Sequence, residues 1–291
     1  MKILVLINPK AGHGRPLRLL KKLQRRFLSL PDKYHIDIPK SRDELIAKAK
    51  NAAANQFDSI LGVGGDGTMH DIVEATVGTD IAVGMLPAGR GNDFIRNIRF
   101  PQSLLAIVNR LKRVSTTEID VPMMNGIPFI NSGGIGFDAE VALNFGNNNC
   151  YIPGTTCYII ALLKTLMKYR PISMKIVANG EEINDRFMMV TIANGQYYGG
   201  GMNIAPDALM NDHLLDVCLI RPLSPLKLLW LFPRVYSGKH VAHPSVRYFK
   251  TKKISIETAV PTSIMLDGDI RCKTPAVFEI NGERTKIIAP E

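Results

Sequence analysis

Cysteine is scarce in this chain and never closely paired. The four present, Cys150, Cys157, Cys218 and Cys272, form no C-x-x-C pair, which removes the metal and dithiol-redox templates. Reduced, mostly buried thiols are the expectation. Long apolar runs are also lacking. The longest, Tyr158–Leu163 and Leu226–Phe232, fall well short of a bilayer span. The opening run to Pro9 is too short for a signal peptide and reads as a buried first strand. No internal repeat, low-complexity segment, RRM-like or zinc-finger signature is present, so nucleic acid is not an expected partner. A cytoplasmic protein, at most peripheral at the inner membrane face, is expected.

Positive charge is abundant: 36 Lys+Arg against 26 Asp+Glu give a net +10. Such a surface suits anions, whether nucleotide or anionic lipid, and solubility alone is the plainer reading. With 291 residues, 46% of them hydrophobic, the chain can fill two modest cores.

Residues 1–121 alternate strand and helix. Ile3–Ile7 is wholly apolar, as a parallel strand covered on both faces should be. Helical spacing follows at Leu17, Leu20, Leu23, Phe27 and Leu30. Further strands are predicted at Tyr34–Ile38, Ser59–Val63 and Ile81–Leu86, with a second helix at Leu45–Ala49. This pattern predicts a Rossmann-like parallel α/β domain with ligands at the carboxyl ends of its strands. Residues 122–284 change texture. Alternating Ile172, Met174 and Ile176 lead to Asn179-Gly180, then Phe187–Ile192. Asp267-Gly268 and Asn281-Gly282 are further hairpin signals. An antiparallel β-sandwich is predicted, with helices near 139–146, 155–168 and 224–236, and residues 285–291 returning to the first domain.

The strongest chemical signal is Gly64-Gly65-Asp66-Gly67-Thr68, between an apolar strand and a helix. Its glycines allow close backbone approach, and the helix-start amides suit phosphate oxygens. Asp66 would repel phosphate unless a cation or water intervened, so the turn suggests a triphosphate held with magnesium. Thr68 touches phosphate or serves only as a cap. A basic loop, Asn8–Arg15, follows the first strand and carries Lys10, His13 and Arg15; it reads as a phosphate contact or a solvated turn. After the fourth strand comes Pro87-Ala88-Gly89-Arg90-Gly91-Asn92-Asp93-Phe94. There Asp93 caps a helix or shares magnesium with Asp66. Asn131–Ala139 shapes a cleft wall or lets a strand pass into a helix, and Tyr198–Pro206 suggests a wall for an apolar guest or a loose linker. Asp267-Gly268-Asp269 is an ordinary turn unless the β domain brings it to the phosphates, where a carboxylate could take a hydroxyl proton.

Together these segments resemble the diacylglycerol-kinase catalytic family, in particular its bacterial soluble lipid kinases. Sphingosine and ceramide kinases look like cousins. Gly-Gly-Asp-Gly-Thr is shared with NAD kinases, but its combination with Gly91–Phe94 and Gly134–Asp138 is far more specific. The resemblance implies an α/β nucleotide domain joined to a β-sandwich, and transfer of the γ-phosphate of ATP to a primary hydroxyl of a lipid such as diacylglycerol. It implies ATP contacts at Asn8, Ser41 and Gly64–His70, with position 90 in the same pocket. Asp66 and Asp93 would join a carboxylate, water and magnesium network, and Asp269 would be the general base. A second, structural metal would fall on Leu209, Asp212 and Leu214, the leucines through backbone oxygens.

Three positions depart from the family pattern. Asp269 stands where Glu is usual, about 1.5 Å shorter. Arg90 replaces Ser or Thr, and His70 replaces Asn. An NAD-kinase-like acceptor, or a nucleotide- or lipid-binding protein of weak activity, are the competing readings. A homodimer is left open. Membrane contact could use the helix near 224–236, with Trp230 and Lys227, or Arg18, Lys21, Lys22, Arg25 and Arg26 of the first helix; core packing and a solvated face are the plainer readings.

Overall fold

The computed structural model describes residues 2–28, 33–100, 115–147 and 163–289. The apolar run near the N-terminus becomes β1 (Lys2–Ile7), with Ile3, Val5, Leu6 and Ile7 fully buried. After α1 (Arg15–Phe27), strand β2 (Lys33–Asp37) pairs on one side of β1. After α2 (Arg42–Lys50), strand β3 (Ser59–Gly64) pairs on the other. Helix α3 (Asp66–Thr76) then leads to β4 (Ala82–Pro87), which extends the sheet beyond β3. All four strands are parallel, so the sheet grows in opposite directions from β1, and the turns after β1 and β3 face the crevice that this reversal opens. Past the short helix α4 (Asp93–Asn97), β5 (Ser115–Asp120) closes the far edge. Between β4 and β5 runs the chain's last strand (Arg284–Ala289), parallel to β4 and antiparallel to β5.

The second lobe is a sandwich of two six-stranded antiparallel sheets. One holds β6 (Met123–Met124), β7 (Ile127–Pro128), β9 (Ile172–Ala178), β10 (Glu181–Phe187), β16 (Lys253–Thr258) and β19 (Ala276–Glu279). The other holds β8 (Ser132–Gly136), β11 (Met189–Ala193), β14 (Leu215–Ile220), β15 (Val246–Thr251), β17 (Ser263–Leu266) and β18 (Asp269–Lys273). A two-stranded ribbon, β12 (Tyr197–Tyr198) and β13 (Met202–Asn203), lies apart. Alternating side chains such as Ile176, Ile192, Val217 and Ile256 fill the space between the sheets, with Phe129 and Phe278 packed edge to face at 5.9 Å. The outer face of the second sheet is covered by α5 (Phe137–Asn147) and α6 (Pro225–Val235), through Val141, Leu228 and Val235.

Asn179 and Gly180 take φ of 51° and 76° and close the β9–β10 hairpin, as a two-residue primed turn requires. Two expectations change. Phe187–Ile192 is not one strand: Phe187 ends β10 in one sheet and Met189 begins β11 in the facing one. Continuous apolar character cannot register that change, because both sheets bury the same kind of residue. Asn281-Gly282 is a turn, with Gly282 at φ 94°, but it sends the chain from the sandwich to the first sheet and joins no hairpin. Of the helix expected at 155–168, residues 163–168 are helical. Residues 155–162, Cys150, Cys157 and Leu30 lie outside the described residues.

Candidate active site

Three turns converge at the carboxyl edge of the first sheet, and their glycines explain how closely they pack. A Cβ on Gly89 would lie 2.4 Å from the Gly65 Cα, and one on Gly12, at φ 50°, would lie 2.1 Å from the Ala88 carbonyl oxygen. No other residue type fits at either point. Asn8 Nδ2 donates to Thr68 Oγ1 at 2.9 Å and ties the first turn to the second. The Gly64 carbonyl accepts from the amides of Ala88 and Gly89 at 2.7 and 3.0 Å, tying the second turn to the third.

The turns frame a pocket of about 550 Å³. Asn8, Ser41, Gly65, Gly67, Thr68, Arg90 and Asp269 line it, with Lys10, Lys40, Arg42 and Asp71. Ser41 also caps α2, accepting from the Glu44 amide at 3.1 Å. Arg42 is braced by Asp71, to which its Nε and Nη2 donate at 2.9 and 2.6 Å. Arg90 is exposed and its guanidinium contacts the His13 ring. The pocket is therefore basic and floored by the N-terminal amides of α3, a combination that binds phosphates.

Asp66 and Asp93 meet just behind this floor. A Cβ on Gly91 would lie 3.0 Å from Asp66 Oδ2 and 3.2 Å from Asp93 Oδ2, so the two carboxylates face one point that only glycine leaves open. Asp66 Oδ1 accepts from the Phe94 amide at 2.9 Å. Burial, then the charges of Asp93 and Asp267, push the Asp66 pKa up to about 6. Burial also raises Asp93. Asp93 Oδ2 accepts from the Gly200 amide at 2.7 Å, while its buried Oδ1 has no hydrogen-bond donor among the described residues and only Arg96 Nε at 3.8 Å. Two crowded carboxylates with an undonated oxygen are a donor set that fits a hard divalent cation.

The glycines at 199–201 act on this acid pair and not simply on an apolar guest. All three have positive φ (58°, 87° and 102°), which turns successive amides toward Asp93. Met202 beyond them does reach an apolar cavity, beside Val141, Leu228 and Phe232. Asp138 borders the same cavity; burial raises its carboxyl to about 7. Gly134 makes room for that carboxylate, since a Cβ there would meet Asp138 Oδ2 at 2.1 Å.

His70 is on α3, but its ring is turned away from the pocket. Its Nδ1 lies 2.7 Å from Asp267 Oδ2, and both side chains are 2% exposed. Burial opposes the charged imidazole; the hydrogen bond and charge of Asp267 together outweigh it, and the pKa is raised. Asp267 also accepts from the amides of Ile130, Asn131 and Ser132 at 2.8, 2.7 and 3.1 Å. This buried acid was not singled out from the sequence, where it reads as half of a turn dipeptide. It fixes the β17–β18 hairpin against α3 and so delivers Asp269 to the pocket rim, with its side chain 65% exposed. Leu209, Asp212 and Leu214 are not part of this pocket. Among the described residues, His70, Asp71 and Glu74 form the one cluster with metal-ligand spacing. Two of the three are already engaged, His70 by Asp267 and Asp71 by Arg42.

Known proteins resemble this chain along its whole length. Residues 2–124 match the family described as the diacylglycerol kinase catalytic domain, and residues 131–289 match the YegS C-terminal NAD kinase beta sandwich-like domain. A diacylglycerol kinase of Mycobacterium tuberculosis is 30% identical over 99% of this chain and 95% of its own. A diacylglycerol kinase of Bacillus subtilis is 23% identical over 94% of this chain and 91% of its own. The crystal structure of a diacylglycerol kinase from Bacillus anthracis superposes with a TM-score of 0.78 at 25% identity, covering 99% of this chain and 96% of the other. Sequence motifs, lobe architecture and full-length relatives agree: this chain belongs to the diacylglycerol kinase family of lipid kinases.

Proposed function

We propose that the protein transfers the γ-phosphate of ATP, held with magnesium, to a primary hydroxyl of a lipid such as diacylglycerol. The observation that carries this reading is the basic pocket itself, where the α3 amides, Lys10, Lys40 and Arg42 face Asp269 from the other lobe. The amides and cations hold the phosphate chain. Asp66 and Asp93 hold the magnesium, which when bound neutralises charge on the phosphate oxygens. Asp269 accepts the proton of the acceptor hydroxyl. A loose phosphoryl-transfer transition state leaves positioning and charge neutralisation as the main work of these residues. The apolar cavity beneath α6, about 50 Å³, has room for a few methylenes of an acyl chain, and Asp138 at its border, whose carboxyl burial raises to about 7, can hydrogen-bond a polar headgroup.

The same lobe carries a surface suited to bilayers. On α6, Leu226 and Trp230 are 81% and 56% exposed, while Leu228 and Leu231 face inward. Arg234 stacks on Trp230 at 3.3 Å, Lys227 is one turn away, and α6 contains no acid. No described helix is long and apolar enough to cross a membrane. Docking through this face should give vesicle binding that rises with anionic lipid and falls with salt, and that Trp230→Ala weakens.

The deciding experiment is incubation of a total lipid extract, and separately NAD, with labelled ATP and magnesium, followed by identification of the product. A labelled phospholipid is expected. Labelled NADP in its place, or no transfer to any lipid, would overturn the reading.

A further inference from the structure

Of the residues expected to hold a second cation, Asp212 already has both carboxylate oxygens engaged. Asp212 Oδ1 accepts from the Leu214 amide at 3.1 Å. Asp212 Oδ2 accepts from Lys250 Nζ at 2.7 Å. The same ammonium donates to the Asp207 carbonyl at 3.0 Å and lies 3.4 Å from Asp216 Oδ2. Its three N–H donors thus have three oxygens around them. Lys250 faces Asp216 in register across β14 and β15, so the amine is delivered by the sheet and not by chance. The Asp216 side chain is wholly buried, and its other oxygen accepts from Tyr248 Oη at 2.5 Å.

We infer that the Lys250 ammonium takes the place of a divalent cation in this chain, binding the segment 207–214 to the sandwich as an internal counter-ion. The geometry gives this tether a purpose. The Met210 carbonyl accepts from the Asp120 amide at 2.6 Å, and Asp120 Oδ2 accepts from the His213 amide at 2.8 Å. Asp120 ends β5, where the chain leaves the first sheet for the sandwich. The cation at 250 therefore steadies one of the crossings that join the lobes. Two carboxylates and a carbonyl without the amine would be an all-oxygen set of the kind that calcium and magnesium take. Lys250→Ala should create the metal site that the native chain lacks.

The test is thermal melting of the full chain without nucleotide, in EDTA and in millimolar magnesium or calcium, paired with terbium luminescence excited through tyrosine, since Tyr248 adjoins the site. Any metal-dependent shift in the wild type should persist unchanged in Asp212→Asn, because it arises elsewhere. Lys250→Ala should melt about 5 °C lower in EDTA and recover with calcium. It should also gain terbium emission beyond the wild type, and both gains should vanish in Lys250→Ala/Asp212→Asn. A wild-type stabilisation by metal that Asp212→Asn abolishes would overturn the inference, and so would a folded Lys250→Ala with no metal response. If Lys250→Ala does not fold, the wild-type and Asp212→Asn comparison decides. None of these readouts uses phosphate transfer, so the outcome is separate from that of the proposed activity.

Discussion

Asp66 shows how a single residue can work against the fold. Its carboxyl is raised to about 6 from 3.8 by burial and by its acidic neighbours, so between those values the folded state binds more protons than the unfolded chain. Stability therefore falls as pH rises through that window, and the cost persists above it. Asp66→Asn keeps an oxygen for the Phe94 amide and removes the charge. It should stabilise the protein at pH 8 by on the order of 1–3 kcal/mol, with the gain shrinking toward pH 4, while abolishing lipid phosphorylation. Calorimetry at several pH values checks the sign. His70 runs the other way, since a raised imidazole pKa adds stability at low pH that is lost as pH climbs through the folded value. His70→Asn retains an N–H donor for Asp267 and should keep most activity. His70→Ala leaves a buried carboxylate short of one donor and should lower kcat by about tenfold or more, with little change in KM for ATP. The family resemblance places position 70 among the nucleotide contacts. The partner of its imidazole lies 197 residues away, and no local pattern encodes that distance.

At the scale of elements, the glycine turns were legible because their geometry is local. A strand, a run of glycines and a helix start predict an anion site whatever the rest of the chain does, and Gly65, Gly67 and Thr68 of that turn line the basic pocket. Turns whose outcome depends on the next strand's destination were less legible. Asn179-Gly180 and Asn281-Gly282 are the same dipeptide, yet one closes a hairpin and the other carries the chain between lobes. The triple glycine at 199–201 reads from the sequence as part of an apolar wall with Met202, which does line the apolar cavity, but its amides also serve Asp93. A Cβ on Gly200 would meet nothing within 4 Å, so Gly200→Ala is a test of backbone alone. At φ 87°, alanine should cost about 1–2 kcal/mol and tilt the donated amide. Loss of magnesium affinity in the phosphorylation assay, with the melting transition still cooperative, is the expected result.

At the scale of the whole molecule, the last strand decides which parts can fold alone. Composition shifts suggest a first unit ending near residue 121, but among the described residues β5 has no sheet partner other than Arg284–Ala289. Ile287 and Ile288, 0% and 2% exposed, belong to the first core, and Ile288 packs on Gly84 of β4. Their burial contributes on the order of 4–6 kcal/mol, comparable with the net stability of a small domain. A chain ending at residue 124 should therefore show no cooperative transition and should aggregate through the uncovered edge of β4. The register offers a repair. Asp120 pairs with Arg284 in an antiparallel ladder, so residues 1–121 joined through Asn-Gly to residues 283–291 would close β5 and the last strand as a hairpin. That shortened protein should melt cooperatively, though below the full chain, because Ile130 and Met210 of the sandwich lobe also pack into the first core. It should still bind ATP, since Asn8, Ser41 and the Gly64–Thr68 turn are all retained, but it should transfer no phosphate without Asp269. Cooperative melting of the chain cut at 124, equal to that of the hairpin-closed form, would show that the last strand is dispensable to the nucleotide lobe.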